Sequence, residues 1–144
     1  KLLRDGGEMV REVIADIRED LLSIRNTRDE ASDVAGDVEE ALSDLEDATA
    51  WMLESAGRDQ RFPFAASFDY LMLFGTVVGG WQMACAAGAA AQRLGGERGD
   101  ARFNREKLAT ARCYVRQILP RVRGFSTQIQ RGAEAVVDAG DVVF

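Results

Sequence analysis

At 144 residues the chain is long enough for one hydrophobic core, and 47% apolar with 29% charged residues is a globular rather than a disordered make-up. It contains no histidine, which excludes His-based triads, His-dependent acid–base catalysis and most transition-metal sites. The net charge of −6 argues against a nucleic-acid partner for the chain as a whole.

That charge is unevenly spread. Acidic pairs at Glu19-Asp20, Asp29-Glu30, Glu39-Glu40 and Glu46-Asp47 crowd the first part of the chain. Arg93, Arg98, Arg102, Arg105, Arg112, Arg116, Arg121, Arg123 and Arg131 crowd a later part. The simplest arrangement sets acidic and basic helices side by side in one bundle. The chain opens on Lys1 rather than Met, and no basic stretch followed by an apolar run stands at its start. A piece of a longer protein without a signal peptide is expected. Cys85 and Cys113 are too few for a disulfide framework, so a reducing, cytoplasmic setting is expected.

In chain order, Asp5-Gly6-Gly7 reads as a helix entrance, with Glu8 and Glu12 at the positive end of the helix dipole. Val10, Val13, Ile14, Ile17, Leu21 and Ile24 follow as one amphipathic stripe, interrupted at Arg25-Asn26-Thr27-Arg28. The second stripe is Ala31, Val34, Val38, Ala41, Leu45, Ala48 and Met52, a heptad-like seam of small residues with Asp and Glu on the other faces. Gly57 suits a helix C-cap, and Pro63 marks the boundary.

The third segment, from about Phe64 to Leu94, has no charged residue between Asp69 and Arg93. A helix of that length reaches about 35 Å, enough to cross a bilayer. Its Ala84–Ala91 stretch is only weakly apolar, and Gln82 sits in its middle. The expectation is therefore the central helix of a water-soluble bundle, or one that also faces a partner, apolar all round and buried in protein over 70–91. Gly75 and Gly79 would let a neighbouring helix come close. Gly95-Gly96-Glu97-Arg98-Gly99 is the next turn, and Asp100 is the expected N-cap after it. The fourth stripe is Leu108, Ala111, Val115, Ile118, Val122, Phe125, Ile129, Ala133 and Val136, with a kink expected at Pro120.

The fold expected is all-α: one domain over 1–144, an up-down-up-down four-helix bundle with a long apolar third helix and a Pro-kinked fourth. The predicted spans are 6–26, 29–56, 63–94 and 100–138.

Chemistry is sparse. Without histidine, the Glu-x-x-His pairs of di-iron bundles are excluded. Cys85 and Cys113 lack metal-ligand spacing and an activating neighbour. Gly95-Gly96…Gly99 follows no strand, so it is a turn and not a phosphate loop. The carboxylates of the second helix spread over solvated faces, and Trp51, Tyr70, Trp81 and Tyr114 are scattered, not laddered. No catalytic, cofactor-binding or metal residue is expected. The one polar feature with functional content is an arginine ridge on the fourth helix. Within it Arg102, Arg105, Arg112 and Arg116 are the candidates for an anionic ligand or a partner surface, with ion pairing to the acidic helices as the plainer reading.

Four stretches carry a resemblance. They are Lys1-Leu2-Leu3-Arg4-Asp5-Gly6-Gly7, Tyr70-Leu71-Met72-Leu73-Phe74-Gly75-Thr76-Val77-Val78-Gly79-Gly80-Trp81, Phe103-Asn104-Arg105-Glu106-Lys107-Leu108-Ala109-Thr110-Ala111-Arg112-Cys113-Tyr114 with Leu119-Pro120, and the tail from Gly132-Ala133-Glu134 to Val143-Phe144. In this order they resemble the C-terminal helical extension found in one branch of the acyl-CoA dehydrogenases. The acidic second helix around Asp33–Asp47 departs from the pattern.

The resemblance implies a flavoprotein parent that oxidises acyl-CoA thioesters between the α and β carbons, with a Glu taking the α proton and FAD the β hydride. The family's catalytic Glu lies in a Tyr-Glu-Gly-Thr type motif upstream of the extension, and no such motif occurs here. No catalytic or flavin-binding residue carries over. In the family the extension is an added helical domain packed on the dehydrogenase body, so the resemblance implies a structural and assembly role with the rest of the acyl-CoA dehydrogenase chain as partner, in a homo-oligomeric, bacterial, cytoplasmic enzyme with neither nucleic acid nor membrane as partner. The alternatives are a free-standing helical interaction module and a membrane-inserted bundle using 70–91.

Overall fold

The computed structural model describes residues 2–96 and 100–143, with side chains as far as residue 140. Among the described residues every regular element is helical: α1 (Glu8–Asn26), α2 (Ser32–Arg58), α3 (Arg61–Leu94), α4 (Ala101–Gln117), α5 (Arg121–Thr127), a π turn (Gln128–Gly132) and α6 (Ala133–Val143). Arg98, part of the Gly95–Gly99 turn, and the outermost matched residues Lys1 and Phe144 lie outside the described residues.

The helix ends follow local chemistry. Gly6 and Gly7 take φ of 63° and 81°, a left-handed backbone that glycine adopts without strain, and the Asp5 side chain accepts a hydrogen bond from Gly7 N. Asp100 caps α4 by accepting from the backbone N–H of Arg102 and Phe103.

The α2–α3 boundary departs from expectation. Gly57 is not a C-cap: α2 runs on to Arg58, and Asp59 breaks it in an extended conformation (φ −156°, ψ 123°). Asp59 then accepts from Arg61 N, starting α3 two residues ahead of Pro63. Pro63 is tolerated there because first-turn N–H groups have no helical acceptor to lose.

The α3 helix touches every other described element, while α1 touches only α2 and α3. The core is drawn from Ile17, Leu21, Val34, Val38, Leu42, Leu45, Leu73, Val77, Val122 and Ile129, each almost wholly buried. The whole second stripe, Ala31 to Met52, is buried as its period requires. Contacts between α1 and α2 fall in reverse order along the two helices: Arg18 pairs with Glu46, and Arg25 with Glu39.

Two expectations about faces are corrected. The α3 helix is not buried all round over 70–91. Leu73, Thr76, Val77, Gly80, Ala84 and Ala87 turn inward, while Leu71, Met72, Gly75, Gln82 and Ala89 are exposed. An apolar run without charges gives no period by which to tell its faces apart. The α3 helix is also the one helix among the described residues long and apolar enough, by length and composition, to cross a membrane.

In the fourth stripe, Ile118 and Val136 point outward, and Leu119 and Val137 are buried instead. The chain between α4 and α5 is non-helical at Ile118–Pro120, and Leu119 N bonds back to Tyr114 O, one residue beyond the normal helical partner. That turn and the later π turn each take up an extra residue, which shifts the inward position by one at Leu119 and at Val137, while Val122, Ile129 and Ala133 stay buried as expected.

Candidate functional site

The arginine ridge of α4 divides into two halves. Arg102 Nε pairs with Glu106 Oε1 of its own helix at 2.9 Å, and Arg105 is exposed with no ion pair among the described residues. Farther along, Arg112 Nη2 meets Glu30 Oε2 at 2.9 Å and Arg116 Nη2 meets Asp37 Oδ2 at 3.6 Å. On α5, Arg123 Nη2 lies 3.9 Å from Glu40 Oε2. The second half thus rests on the acidic edge of α2, bringing Arg112 and Arg116 together with Arg123 and leaving Arg102 and Arg105 in solvent.

Between α2 and α4–α5 runs an open groove bounded by Asp37, Glu40, Asp44, Val115, Arg116 and Arg123. Both signs of charge line it and largely neutralise one another, so it lacks the convergent unpaired cations that hold a phosphate or carboxylate. Asp37 Oδ2 is shielded from solvent and accepts no hydrogen bond among the described residues; Arg116 is its ion-pair partner. Burial pushes the Asp44 carboxyl above its ordinary range, Arg123 opposes the shift, and Asp47 and Glu40 reinforce it. The groove is open to water, which screens the fields acid–base catalysis depends on.

The polar aromatics act as ties between helices. Tyr70 Oη and Thr49 Oγ1 are 2.8 Å apart across α3 and α2. Tyr114 Oη donates to Thr76 O at 2.9 Å, and its ring fills the space beside Gly79, where a Cβ would overlap the hydroxyl. Trp81 Nε1 donates to Asp20 Oδ2 at 2.9 Å, and Cys85 Sγ lies 3.9 Å from the same oxygen. Burial and the Asp20 carboxylate push the Cys85 thiol up, away from the thiolate a nucleophile needs. Burial likewise raises the Tyr70 and Tyr114 hydroxyls. Among the described residues no group of three or more Cys, Asp and Glu side chains is placed to hold a metal ion.

The sequence allowed α3 to face a partner as well as the core, without saying on which side; that side is apolar. On the outer side of α3, Phe64 is 73% exposed, Phe68 and Leu71 are each 68% exposed, and Met72 is 39% exposed. Beside Phe64, Val136 of α6 is 60% exposed across a shallow groove completed by Arg61, Ala65, Val137 and Gly140. One signal was available: Phe64, Phe68, Leu71 and Gly75 repeat at four- and three-residue steps on the side away from Leu73 and Val77.

Residues 8–140 match the family described as acetyl-CoA dehydrogenase C-terminal like. A 3-methylmercaptopropionyl-CoA dehydrogenase of Ruegeria pomeroyi is 33% identical over 119 residues, covering 83% of this chain and 20% of that relative. The chain spans about a fifth of the length of the curated relative it matches.

Proposed function

Because the chain belongs to the acetyl-CoA dehydrogenase C-terminal-like family, we propose that it is the C-terminal helical domain of an FAD-dependent enzyme that desaturates acyl-CoA thioesters between the α and β carbons. The observation that carries this reading is the match over 8–140, together with a dehydrogenase relative five times as long as the matched part. FAD and the catalytic base belong to the rest of that polypeptide. This domain supports its folding and assembly into a homo-oligomer and supplies no reacting group.

Support for an inactive domain comes from the open, charge-neutralised groove and from the absence of histidine. The up-down-up-down arrangement with a bend at Pro120 is part of the same reading, supported by the reversed order of the α1–α2 ion pairs and by the break at Ile118–Pro120. A bacterial, cytoplasmic setting without nucleic acid or membrane is the accompanying proposal. The part without nucleic acid or membrane is supported by the net charge of −6 and by the inner face of α3 packing on every other helix among the described residues.

The test is purification of the complete polypeptide that carries these residues. It should be yellow and should reduce a dye acceptor when given an acyl-CoA, whereas the 144-residue chain alone should bind no FAD and turn over nothing. A colourless, inactive protein across short, medium and long acyl-CoAs sinks the reading, and so does turnover by the 144-residue chain. The exposed apolar face of α3 favours one second reading, a free-standing helical interaction module; that protein would be colourless and would bind a partner through α3.

A further inference from the structure

Arg18 of α1 pairs with Glu46 of α2, and around that pair the two antiparallel helices form an open groove of about 620 Å³. Ile14 and Thr49, both buried, make its floor. Ala15 and Leu22 line it from α1, and Ala50 and Leu53 from α2. Leu22 stands 57% exposed, and Ala15 and Ala50 are exposed as well. From Arg11 to Leu22 the groove follows about three turns of α1, roughly 16 Å. Among the described elements α1 packs on α2 and α3 alone, so no further helix covers its wall.

The charges around this groove lean one way. Its two arginines are already engaged, Arg18 by Glu46 and Arg11 through Nη1, which donates to Gly6 O at 2.9 Å. Glu8, Glu12 and Glu19 follow one another at four and seven residues along the solvent side of α1, and Asp47 and Glu54 stand seven apart on α2. All five are exposed and have no cation partner among the described residues. An apolar strip between two acidic rims matches a helix that is apolar along one face and carries Lys or Arg on both flanks. Ala15 and Ala50 let such a helix settle between α1 and α2, because the side chains at a contact set the distance between helix axes. A fatty-acyl anion of similar volume would be repelled by the rims.

The rims also bear on what kind of contact this is. Sealing Arg18, Glu46 and the unpaired carboxylates under a permanently packed surface would strip their water, and permanent interfaces are depleted of charge at their centre. A narrow apolar strip with charged edges suits an association that forms and breaks, its encounter hastened by long-range attraction.

We propose that the α1–α2 groove receives a basic amphipathic helix of a separate partner protein. The partner's apolar anchors lie over Ile14, Ala15 and Ala50 between Leu22 and Leu53, and its flanking Lys or Arg side chains meet Glu12, Glu19 and Asp47. This goes beyond the dehydrogenase reading and stands on α1 and α2 alone.

The experiment is fluorescence anisotropy on the complete polypeptide that carries these residues. The probe is a labelled synthetic peptide of about four helical turns, with Leu along one face and Lys on the flanks. It should bind, and its affinity should fall steeply with added salt. A scrambled peptide of the same composition, and one with Glu for every Lys, should each bind at least tenfold more weakly. Ala50→Arg, which puts a cation into the groove, should weaken the first peptide at least tenfold. Glu12→Gln, Glu19→Gln and Asp47→Asn together should do so at low salt and flatten the salt dependence. These three sit on the surface, so they decide the matter even if Ala50→Arg disturbs folding. Glu134→Gln on the exposed side of α6 is the control and should change nothing. No binding, or equal binding of the scrambled peptide, overturns the proposal, and so does binding indifferent to both the Ala50→Arg and the rim variants. Self-association of the polypeptide that Ala50→Arg abolishes assigns the groove to a second copy and overturns the choice of occupant.

Discussion

Single side chains hold the helices at defined heights. Tyr114 does so twice, donating to Thr76 O and filling the space against Gly79. Gly79→Ala is expected to destabilise the chain by about 1–3 kcal/mol through overpacking. In a Tyr114→Ala background the obstacle is gone, and the same change should stabilise by up to about 1 kcal/mol through helix propensity. A double-mutant cycle by denaturant titration checks it; a cost of equal size in both backgrounds contradicts the packing argument. Asp44 makes a prediction that depends on pH. Its carboxyl is raised chiefly by burial, so its ionised form weakens the fold wherever the pH lies above its folded value. Asp44→Asn should therefore raise the melting temperature at neutral pH. The gain should fade as pH falls and vanish below the unfolded value of about 3.8. Melts at several pH values decide, and a gain that persists in acid would refute the assignment.

At the scale of elements, the informative cases are helix ends and registers. Gly57 lies inside α2 and a Cβ there meets nothing within 4 Å. Gly57→Ala should thus add about 0.5–1 kcal/mol of stability. Had Gly57 been a left-handed C-cap, as its composition suggests, the same substitution would be destabilising, so the sign of one melting shift separates the two. The fourth stripe was legible at Leu108, Ala111, Val115, Val122, Ile129 and Ala133, and its period misassigns only Ile118 and Val136. Pro120 flagged a disturbance, but its direction depends on which residue the core accepts. Leu119 fills the space against Gly80, and Ile118 is left outside.

Across the whole molecule the core outweighs the surface charges. The Arg112–Glu30, Arg116–Asp37 and Arg123–Glu40 pairs are at least half exposed on the arginine side. Such pairs contribute about 0–1 kcal/mol each. The triple variant Arg112→Gln, Arg116→Gln, Arg123→Gln should therefore lose less stability than the single Leu42→Ala, which empties a wholly buried site and should cost about 2–5 kcal/mol. Denaturant melts of the two variants rank them; the reverse order would mean the α2–α4 charge seam holds the bundle together.

By itself the sequence determined the helical class, the second stripe, the Asp100 cap and the family, because periodicity, capping and local motifs are written in neighbouring residues. Tertiary structure alone decided which side of α3 faces the core. Its residues are apolar on both sides, and only the positions of Val38, Tyr114 and Ile24 across the bundle select Gly80, Gly79 and Gly88 as the inner line. The same packing divided the arginine ridge, since Arg112 and Arg116 reach acidic partners that are distant in the chain, while Arg102 finds its own on the next turn.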